Sequence, residues 1–279
     1  MQKTFEVDGP VELDIRVAAG EIVVDPTLHD RVEVDLEGHD EESRRLVEQA
    51  RVELREGARP EVLVDVPQRR SWGISISFGR QGVSCRVRCP VDSPLDVRTK
   101  SADVEARGRV GSLKVTTASG DVAVDHVTGD VDVKSASGDV SVRTVGGNTS
   151  VQTASGDVEI EVAHGPVSVQ SASGDVRIDE AYDDVKATTV SGDVHHGAVM
   201  TGRVTAQSVS GDISIGVRRG STAFLDCSTL SGDTQSDLEA TGDAPDGEGP
   251  LVEIRAKSVS GDIHVTRAAA PADPQEVHT

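Results

Sequence analysis

A short phrase, Ser-Gly-Asp followed by Val or Ile, returns along the chain and constrains its fold more than any other feature. The strict copies begin at Ser119, Ser137, Ser155, Ser173, Ser191, Ser210 and Ser260. A further copy at Ser231 is followed by Thr234, and Ser101-Ala102-Asp103 is a degenerate first copy. Successive starts are 18, 18, 18, 18, 18, 19, 21 and 29 residues apart. A period of this length indicates a repeat architecture.

Each repeat divides into two similar halves. A looser turn such as Gly146-Gly147-Asn148 lies between successive copies of the phrase. Each turn is followed by alternating β-branched residues, as in Val131-Asp132-Val133 and Val140-Ser141-Val142. Alternation of this kind predicts a short strand with one buried face. Glycine supplies the positive φ that a tight turn requires.

One repeat is too small to be stable alone. Ordering the backbone of an 18-residue coil costs roughly 18–36 kcal/mol, whereas burying its four inward side chains returns roughly 6–12 kcal/mol. Coils must therefore stack, which predicts an all-β fold: a right-handed β-helix or β-solenoid of about 18-residue coils. An antiparallel meander has the same turn spacing, but it ranks second because its valine face would lie in water.

The repeat also suggests a division of the chain. We expect a β-rich N-terminal capping region at residues 1–95, a solenoid at 96–267 and a disordered tail at 268–279. The capping region should contain one short helix, which begins after Asp40 and ends near Ala50. Ile74 to Phe78 suggests one more strand, with residues 79–82 as a hairpin loop. The acidic, Gly- and Pro-rich stretch from 237 to 250 predicts a loop on the side or end of the solenoid.

Composition limits the partners and the compartment. The formal net charge of −20 argues against nonspecific binding to nucleic acid or to anionic membranes. There is no apolar run of 18 residues, so we expect no membrane span. The opening residues lack the apolar region of a signal peptide, so we expect a cytoplasmic protein. Three cysteines in a chain of this length do not make a disulfide framework.

The aspartates of the phrase form the sharpest candidate site. On stacked coils, carboxylates about 4.8 Å apart repel by about 0.9 kcal/mol per pair even in water. One interpretation is architectural: each Asp accepts hydrogen bonds from turn N–H groups and a Ser hydroxyl of the neighbouring coil. The other is a row of calcium ions, because the motif is similar to the β-roll repeat Gly-Gly-x-Gly-x-Asp. The candidate calcium ladder is Asp121, Asp139, Asp157, Asp175, Asp193 and Asp212, with Asp233 and Asp262 beyond it.

Cysteine and histidine offer weaker candidates. Cys85 and Cys89 are four residues apart on a strand, about 13 Å, which is too far for a mutual disulfide. We expect both, and Cys227, to be small core residues. His195 and His196 face opposite sides of a strand and cannot readily share one metal. We expect them to be polar, solvent-facing side chains.

Positive charge is concentrated where the capping region meets the repeat. Residues 69–114 hold ten Lys or Arg against four acids. A solvated face is one interpretation. The other is a surface for an unidentified protein partner, or for the acidic far end of a second copy, which would give head-to-tail self-association. The candidate partner-binding residues are Arg86, Arg88, Arg98, Arg107 and Arg109.

Catalysis is not indicated. Ser and Asp recur in every coil for turn reasons, so no Ser-His-Asp set can be singled out. Lys134 and Arg143 near Asp132 imitate the outer-face sites of pectin-cleaving β-helix enzymes, but the likeness is generic. We therefore expect no enzyme and no cofactor.

The repeated phrase, with Thr or Ser two places before its Ser, resembles a bacterial β-strand-repeat family. These hydroxyl residues are Thr117, Ser135, Thr153, Ser171, Thr189, Ser208, Thr229 and Ser258. The strand at residues 83–90 and the entry Leu95-Asp96-Val97 are similar to it as well. The family is a domain of unknown function whose members are provisionally classed as adhesins. The resemblance implies a right-handed β-helix without established catalysis, linked to the bacterial envelope and its stress responses.

The expected function is therefore a non-catalytic scaffold or protein-interaction module connected with envelope stress or the cell surface. Two alternatives stay open: a calcium- or glycan-binding solenoid that resembles an adhesin, and a carbohydrate-active β-helix enzyme.

Overall fold

Two long β-sheets packed face to face make up the molecule. The computed structural model describes residues 1–57, 59–67, 82–238 and 250–268. These residues form a 13-stranded sheet, here sheet A, and a 12-stranded sheet, here sheet B. Strands of successive repeats pair in parallel. The predicted β-solenoid is thus confirmed, and the antiparallel meander is wrong for the repeat.

Each repeat gives one strand to each sheet, and the Ser-Gly-Asp corner joins them. We call such a pair of strands a rung. The sheet B strands are β8 (Leu95–Arg98), β10 (Leu113–Thr117), β12 (Val131–Ser137), β14 (Thr149–Ser155), β16 (Val167–Ser173), β18 (Val185–Thr188) and β20 (Gly202–Gln207). The sheet A strands are β9 (Ser101–Val110), β11 (Val122–Val127), β13 (Val140–Val145), β15 (Val158–Ala163), β17 (Val176–Ala181), β19 (Val194–Val199) and β21 (Ile213–Val217).

The alternating valines fill the space between the sheets. Val133, Val151 and Val169 stand in register on sheet B and are fully buried. Val142 and Ile160 form a matching buried column on sheet A. Each such side chain contributes about 1.5–3 kcal/mol when it leaves water, and only the stack of neighbouring rungs removes it from water completely.

The N-terminal region adds rungs to the same sheets. Its strands are β1 (Gln2–Glu6), β2 (Glu12–Arg16), β3 (Ala19–Leu28), β4 (Arg31–Gly38), β5 (Arg51–Arg55), β6 (Glu61–Asp65) and β7 (Val83–Pro90). The β2–β3 rung lies between the β8–β9 rung and the β6–β7 rung, all in parallel register. Strand β5 then pairs antiparallel with β6, β4 with β7, and β1 with β4. The N-terminal end of the stack is thus formed by antiparallel strands. The predicted domain boundary near residue 95 stays a prediction.

A single short helix in the described part of the chain closes this end. Helix α1 (Glu41–Glu48) packs on β4 and β7. The Asp40 carboxylate accepts a hydrogen bond from the Ser43 N–H at 2.7 Å, and the Ser43 hydroxyl accepts one from the Asp40 N–H at 3.0 Å. This reciprocal cap fixes the start of the helix, as predicted from Asp40. Ser43 and Val47 are its buried residues.

At the C-terminal end, spatial order departs from chain order. The strands are β22 (Thr222–Ser231), β23 (Thr234–Ser236), β24 (Leu251–Ser260) and β25 (Ile263–Arg267). Strand β24 lies between β20 and β22, and β25 lies between β21 and β23. The outermost rung, β22–β23, therefore comes earlier in the chain than the rung beneath it, β24–β25. The described part contains eleven rungs in all.

Some predicted segments lie outside the described residues. They are the strand at Ile74 to Phe78 with its hairpin loop, most of the insertion between residues 237 and 250, and the tail after Ala268.

Within the residues that are described, helix α1 has eight residues, and no helix has the length and apolar character needed to cross a membrane.

Candidate functional site

The repeated aspartates form a hydrogen-bonded ladder along one corner of the solenoid. The Oδ1 atom of Asp139 accepts a hydrogen bond from the backbone N–H of Asp157 at 2.9 Å, and Asp157 accepts one from Asp175 at 2.8 Å. The same contact links each consecutive pair in the spatial order Asp103, Asp121, Asp139, Asp157, Asp175, Asp193, Asp212, Asp262 and Asp233. A carboxylate that accepts an N–H bond in this way is partly compensated for repulsion from its neighbours.

These bonds supply the architectural role that the sequence suggested, with one difference. The donor is the N–H of the next Asp, and the Ser hydroxyl of the phrase is not that donor. Among the described residues, no group of three or more His, Cys, Asp or Glu side chains is arranged to hold a metal ion. Calcium binding along the ladder stays a prediction for solution experiments.

Four of the eight hydroxyls two places before a corner donate to the neighbouring rung, whereas those of Ser135, Thr153 and Ser171 have no hydrogen-bond partner among the described residues. The Thr229 hydroxyl donates to the Gly261 carbonyl at 3.0 Å, and the Ser258 hydroxyl donates to the Gly211 carbonyl at 3.3 Å. Thr189 and Ser208 make the equivalent bonds at 3.4 and 3.3 Å. In these four rungs the Thr or Ser of the motif is therefore a structural part of the corner.

The five candidate arginines do not form one surface. Arg86 and Arg88 lie on β7 of sheet A, whereas Arg98 lies on β8 of sheet B. Four of the five are ion-paired: Arg88 with Glu33, Arg98 with Asp96 at 2.7 Å, Arg107 with Glu105 at 2.7 Å and Arg109 with Asp92 at 2.8 Å. The hydrogen bond from Arg107 lowers the pKa of Glu105. The positive charge of these four arginines is thus balanced by nearby acids.

The enzyme-like set is also dispersed. Asp132 and Lys134 lie on β12 of sheet B, and Arg143 lies on β13 of sheet A. Arg143 pairs instead with Asp125 at 3.0 Å and with Glu161 at 3.6 Å. The structure does not bring these three residues to one face.

His196 is buried, and the expectation of a solvent-facing side chain is wrong for it. It is 1% exposed and stands in register with Ile178 and Ile215. Neither ring nitrogen has a hydrogen-bond partner among the described residues. Burial, with a smaller contribution from the charge of His195, lowers the pKa of His196 to about 4. A neutral imidazole therefore occupies a position that holds an aliphatic residue in neighbouring rungs.

Cys85 and Cys89 lie in the core as predicted, whereas Cys227 is only partly buried. Cys85 and Cys89 are free and fully buried on β7, and burial raises the pKa of each thiol to about 12. Cys227 is free and half-buried in the outermost rung.

The outer face of sheet A carries charged residues that pair with each other. Besides Arg143, Arg177 contacts Asp179 at 2.9 Å and Glu159 at 3.7 Å. Each of these side chains is at least one-third exposed, so the pairs contribute little to stability. They do make this face strongly hydrated.

The outer face of sheet B differs across its four middle rungs. Its outward side chains there are mainly uncharged and short. We call this surface the polar face and define it as Ser150, Gln152, Ser168, Gln170, Thr188, Thr205 and Gln207. Along the Ser-Gly-Asp corner it is bordered by exposed Ala154, Ala172, Val190 and Val209. A shallow groove of about 530 Å³ follows the opposite edge.

Sequence reasoning missed the polar face, although a signal for it was present. In Ser150-Val151-Gln152 and Ser168-Val169-Gln170, the residues that alternate with buried valine are uncharged. The equivalent positions on sheet A are Glu159-Ile160-Glu161 and Arg177-Ile178-Asp179. The difference between the two halves of the repeat distinguishes the two faces.

Comparison with known proteins gives a family and a fold. The model of the family Toastrack DUF4097 matches residues 11–266. A search of curated proteins finds no match. A solved structure of a provisionally assigned adhesin from Bacteroides fragilis superposes with a TM-score of 0.52 at 13% identity, over 95% of this chain and 96% of that one.

Two further solved structures are less similar. A provisionally assigned lipid-binding protein from Parabacteroides distasonis has a TM-score of 0.42 at 12% identity, over 96% of each chain. A provisionally assigned adhesin from Parabacteroides merdae has a TM-score of 0.41 at 13% identity, over 95% of each chain. At these identities the likeness to the Bacteroides protein concerns the fold alone.

Proposed function

The chain belongs to the Toastrack DUF4097 family, and from that premise we propose that it is a non-catalytic scaffold that binds a protein partner across the polar face. The solenoid holds this face flat and in fixed register, and the partner would lie along several rungs at once. The process served would be the one that the resemblance implied, at the bacterial envelope.

The distribution of charge carries this proposal. The whole chain has a formal net charge of −20, yet the outward strand positions of the β14, β16, β18 and β20 rungs on sheet B contain no acidic residue. The only charged side chains at these positions are Lys186 and Arg203. Interface cores are depleted in charge because charged groups are costly to strip of water. The polar face is therefore the part of the rod that a partner can cover at lower cost.

Rigidity supports the same proposal. The strands under the polar face pair on both edges with neighbouring rungs, and their inward side chains are buried. A surface that is already ordered loses little conformational entropy on binding. The bordering alanines and valines add apolar area at one edge of the same surface.

A neutral face of hydroxyls and amides is also suited to hydrogen bonding with a glycan, so glycan binding is the second candidate. The same surface variants would test it, with a panel of glycans in place of a protein lysate.

The test uses photo-crosslinking from matched positions. A photoreactive amino acid replaces Gln170 on the polar face, or Arg177 on the sheet A side of the same rung. We expect the Gln170 derivative to crosslink a discrete partner in cells that express the full chain. The double variant Gln152→Glu with Gln170→Glu should abolish that product because it places carboxylates in the contact area.

The control variant, Ala123→Glu with Ser141→Glu, adds the same charge to the outer face of sheet A. It should leave the crosslinked product unchanged. Equal crosslinking from Gln170 and Arg177, or equal loss in both double variants, would contradict the assignment of the polar face.

A further inference from the structure

We propose that two copies of this chain join end to end through β22, which pairs antiparallel with β22 of the second copy about a two-fold axis at Cys227. The result is a tail-to-tail dimer in which sheet B continues from one molecule into the other. This inference goes beyond the polar face, since it concerns the far end of the rod and a second copy of the same chain.

The outermost rung has an open hydrogen-bonding edge. Within the described residues, β22 and β23 end their sheets and pair on one side only, with β24 and β25. The Thr222 N–H donates to the Pro250 carbonyl at 3.0 Å. Because residues of a strand point their backbone groups to alternate sides, Ala223, Leu225, Cys227 and Thr229 direct theirs to the open edge.

The same strand is unusually apolar for an exposed edge. Phe224 is 60% exposed and Leu230 is 85% exposed, both on the outer side of sheet B. On the inner side, Leu225 and Cys227 pack on the core but remain half-buried. An exposed apolar edge strand without Lys or Pro is a template for pairing with another strand.

The sequence of β22 is complementary to itself in one register. When Cys227 lies on the two-fold axis, Phe224 stands opposite Leu230 of the second copy, and Asp226 stands opposite Ser228. Phe224 and Leu230 then form a non-hydrogen-bonded pair, in which side chains approach most closely. A shift of the axis to Asp226 would instead oppose two carboxylates, which is unfavourable.

The other end of the molecule already uses this kind of ending. Strands β5 and β4 close the N-terminal end by antiparallel pairing with β6 and β7. At the C-terminal end, a second copy supplies the equivalent antiparallel strand. Because the contact is isologous, it closes after two copies and does not grow into a filament. It therefore differs from the head-to-tail contact that the charge distribution suggested.

Cys227 reports on the register. It would meet Cys227 of the second copy in a hydrogen-bonded pair, with Cα atoms about 5.5 Å apart. Cys85 and Cys89 are fully buried, and a Cα separation of about 5.5 Å lies within the range of a disulfide, so oxidation of the native full-length chain with copper phenanthroline should link copies through Cys227. Cys227→Ser should give no covalent dimer.

Surface variants test the contact without disturbing the core. Light scattering across a hundredfold concentration series should show a dimer for the native chain. Phe224→Glu with Leu230→Glu opposes carboxylates in the proposed register and should raise the dimer dissociation constant at least about tenfold. Phe224→Glu with Leu230→Lys opposes unlike charges and should restore the dimer.

The matched control is Leu251→Glu with Val259→Glu, which alters exposed apolar residues one rung further in. This variant should dimerise like the native chain. The proposal is overturned by a native chain that stays monomeric throughout the series, by a dimer that does not crosslink at Cys227, or by equal weakening in the control. The polar-face variants should still dimerise, so failure of one proposal is distinguishable from failure of the other.

Discussion

His196 is the core residue that departs furthest from the repeat, and we expect it to make stability depend on pH. Its ring lies where the rungs on both sides have isoleucine, and strand β18 of the same rung has the small Ala187 among its buried residues. The sequence showed that His195 and His196 face opposite sides. It could not show which one was inside, because a one-residue change of register exchanges the two faces.

Replacing His196 should remove part of the sensitivity to acid. The pKa of His196 is lowered from 6.5 to about 4 by burial, so the unfolded chain takes up a proton first as pH falls. The stability that depends on a neutral His196 is fully present above pH 6.5. It is lost progressively as pH falls from 6.5 toward 4. That loss is on the order of 3 kcal/mol. Urea unfolding at pH 7 and pH 4.5 should show a smaller difference for His196→Val than for the native chain.

Exposed His126 provides the control for that experiment, since His126→Gln should follow the native chain at both pH values. If His196→Val and the native chain lose equal stability between the two pH values, the buried imidazole is not the source of the acid sensitivity.

The aspartate ladder should depend on its hydrogen bonds more than on its charge. Asp157→Ala removes the acceptor for the Asp175 N–H and should cost about 0.5–1.5 kcal/mol. Asp157→Asn keeps an oxygen acceptor and reduces repulsion from Asp139 and Asp175, so it should be close to native. Urea unfolding measures both.

The same series tests the calcium interpretation. If cations occupy the ladder, Asp157→Asn should be as harmful as Asp157→Ala, and EDTA should lower the melting temperature of the native chain. The hydrogen-bonded ladder predicts no shift with EDTA.

At the scale of the elements, the corner glycine is required because rungs approach closely there. Gly174 has φ of +144°, and a Cβ on it would lie 2.2 Å from the Gly156 carbonyl oxygen. Gly174→Ala should destabilise the solenoid by more than the conformational cost alone, which is about 1–3 kcal/mol. Thermal unfolding of the variant measures the total.

Gly9 isolates the steric part of that cost. Its φ is +142°, and a Cβ there would have no atom within 4 Å. Gly9→Ala should therefore be clearly milder than Gly174→Ala. Equal destabilisation would show that φ alone, and not the contact between rungs, demands glycine at the corner.

The elements themselves could largely be read from the sequence. Val-x-Val alternation located the strands of the repeat, and Asp40 located the start of helix α1. The role of the Thr or Ser at positions 189, 208, 229 and 258 could not be deduced, because the acceptor carbonyl belongs to a different rung. The partners of the ladder aspartates were predicted to lie in the next coil, but the donor was identified only by the structure.

At the scale of the whole molecule, the spatial order of the rungs could not be predicted from the sequence. Every copy of the phrase can pair with any other, since their strands share one pattern. The 29-residue spacing before Ser260 signalled an insertion, yet it did not show that the Ser260 rung lies inside the Ser231 rung. The N-terminal strands likewise gave no sign that β2 and β3 stand between the later β6–β7 and β8–β9 rungs.

Which side chains share one face of the solenoid is also visible only in the whole molecule. The described part of the basic stretch, residues 82–114, is continuous in sequence, but its arginines divide between sheet A and sheet B in space. The polar face is the reverse case, because it combines residues from four repeats. Both proposed contacts therefore depend on parallel, in-register rungs stacked in the observed order.

The distance between spin labels tests that stacking most directly. Gln152 lies in one outer column with Gln170, Thr188, Gln207, Lys257 and Ser228, in this spatial order. Labels would be placed at 152 and 257 in one sample and at 152 and 228 in the other, in a Cys227→Ser background diluted with unlabelled protein. Parallel rungs stacked in this order place the first pair about 19 Å apart and the second about 24 Å apart, four and five rungs along the stack. A longer distance to 257 than to 228, or distances unrelated to this spacing, would contradict that stacking.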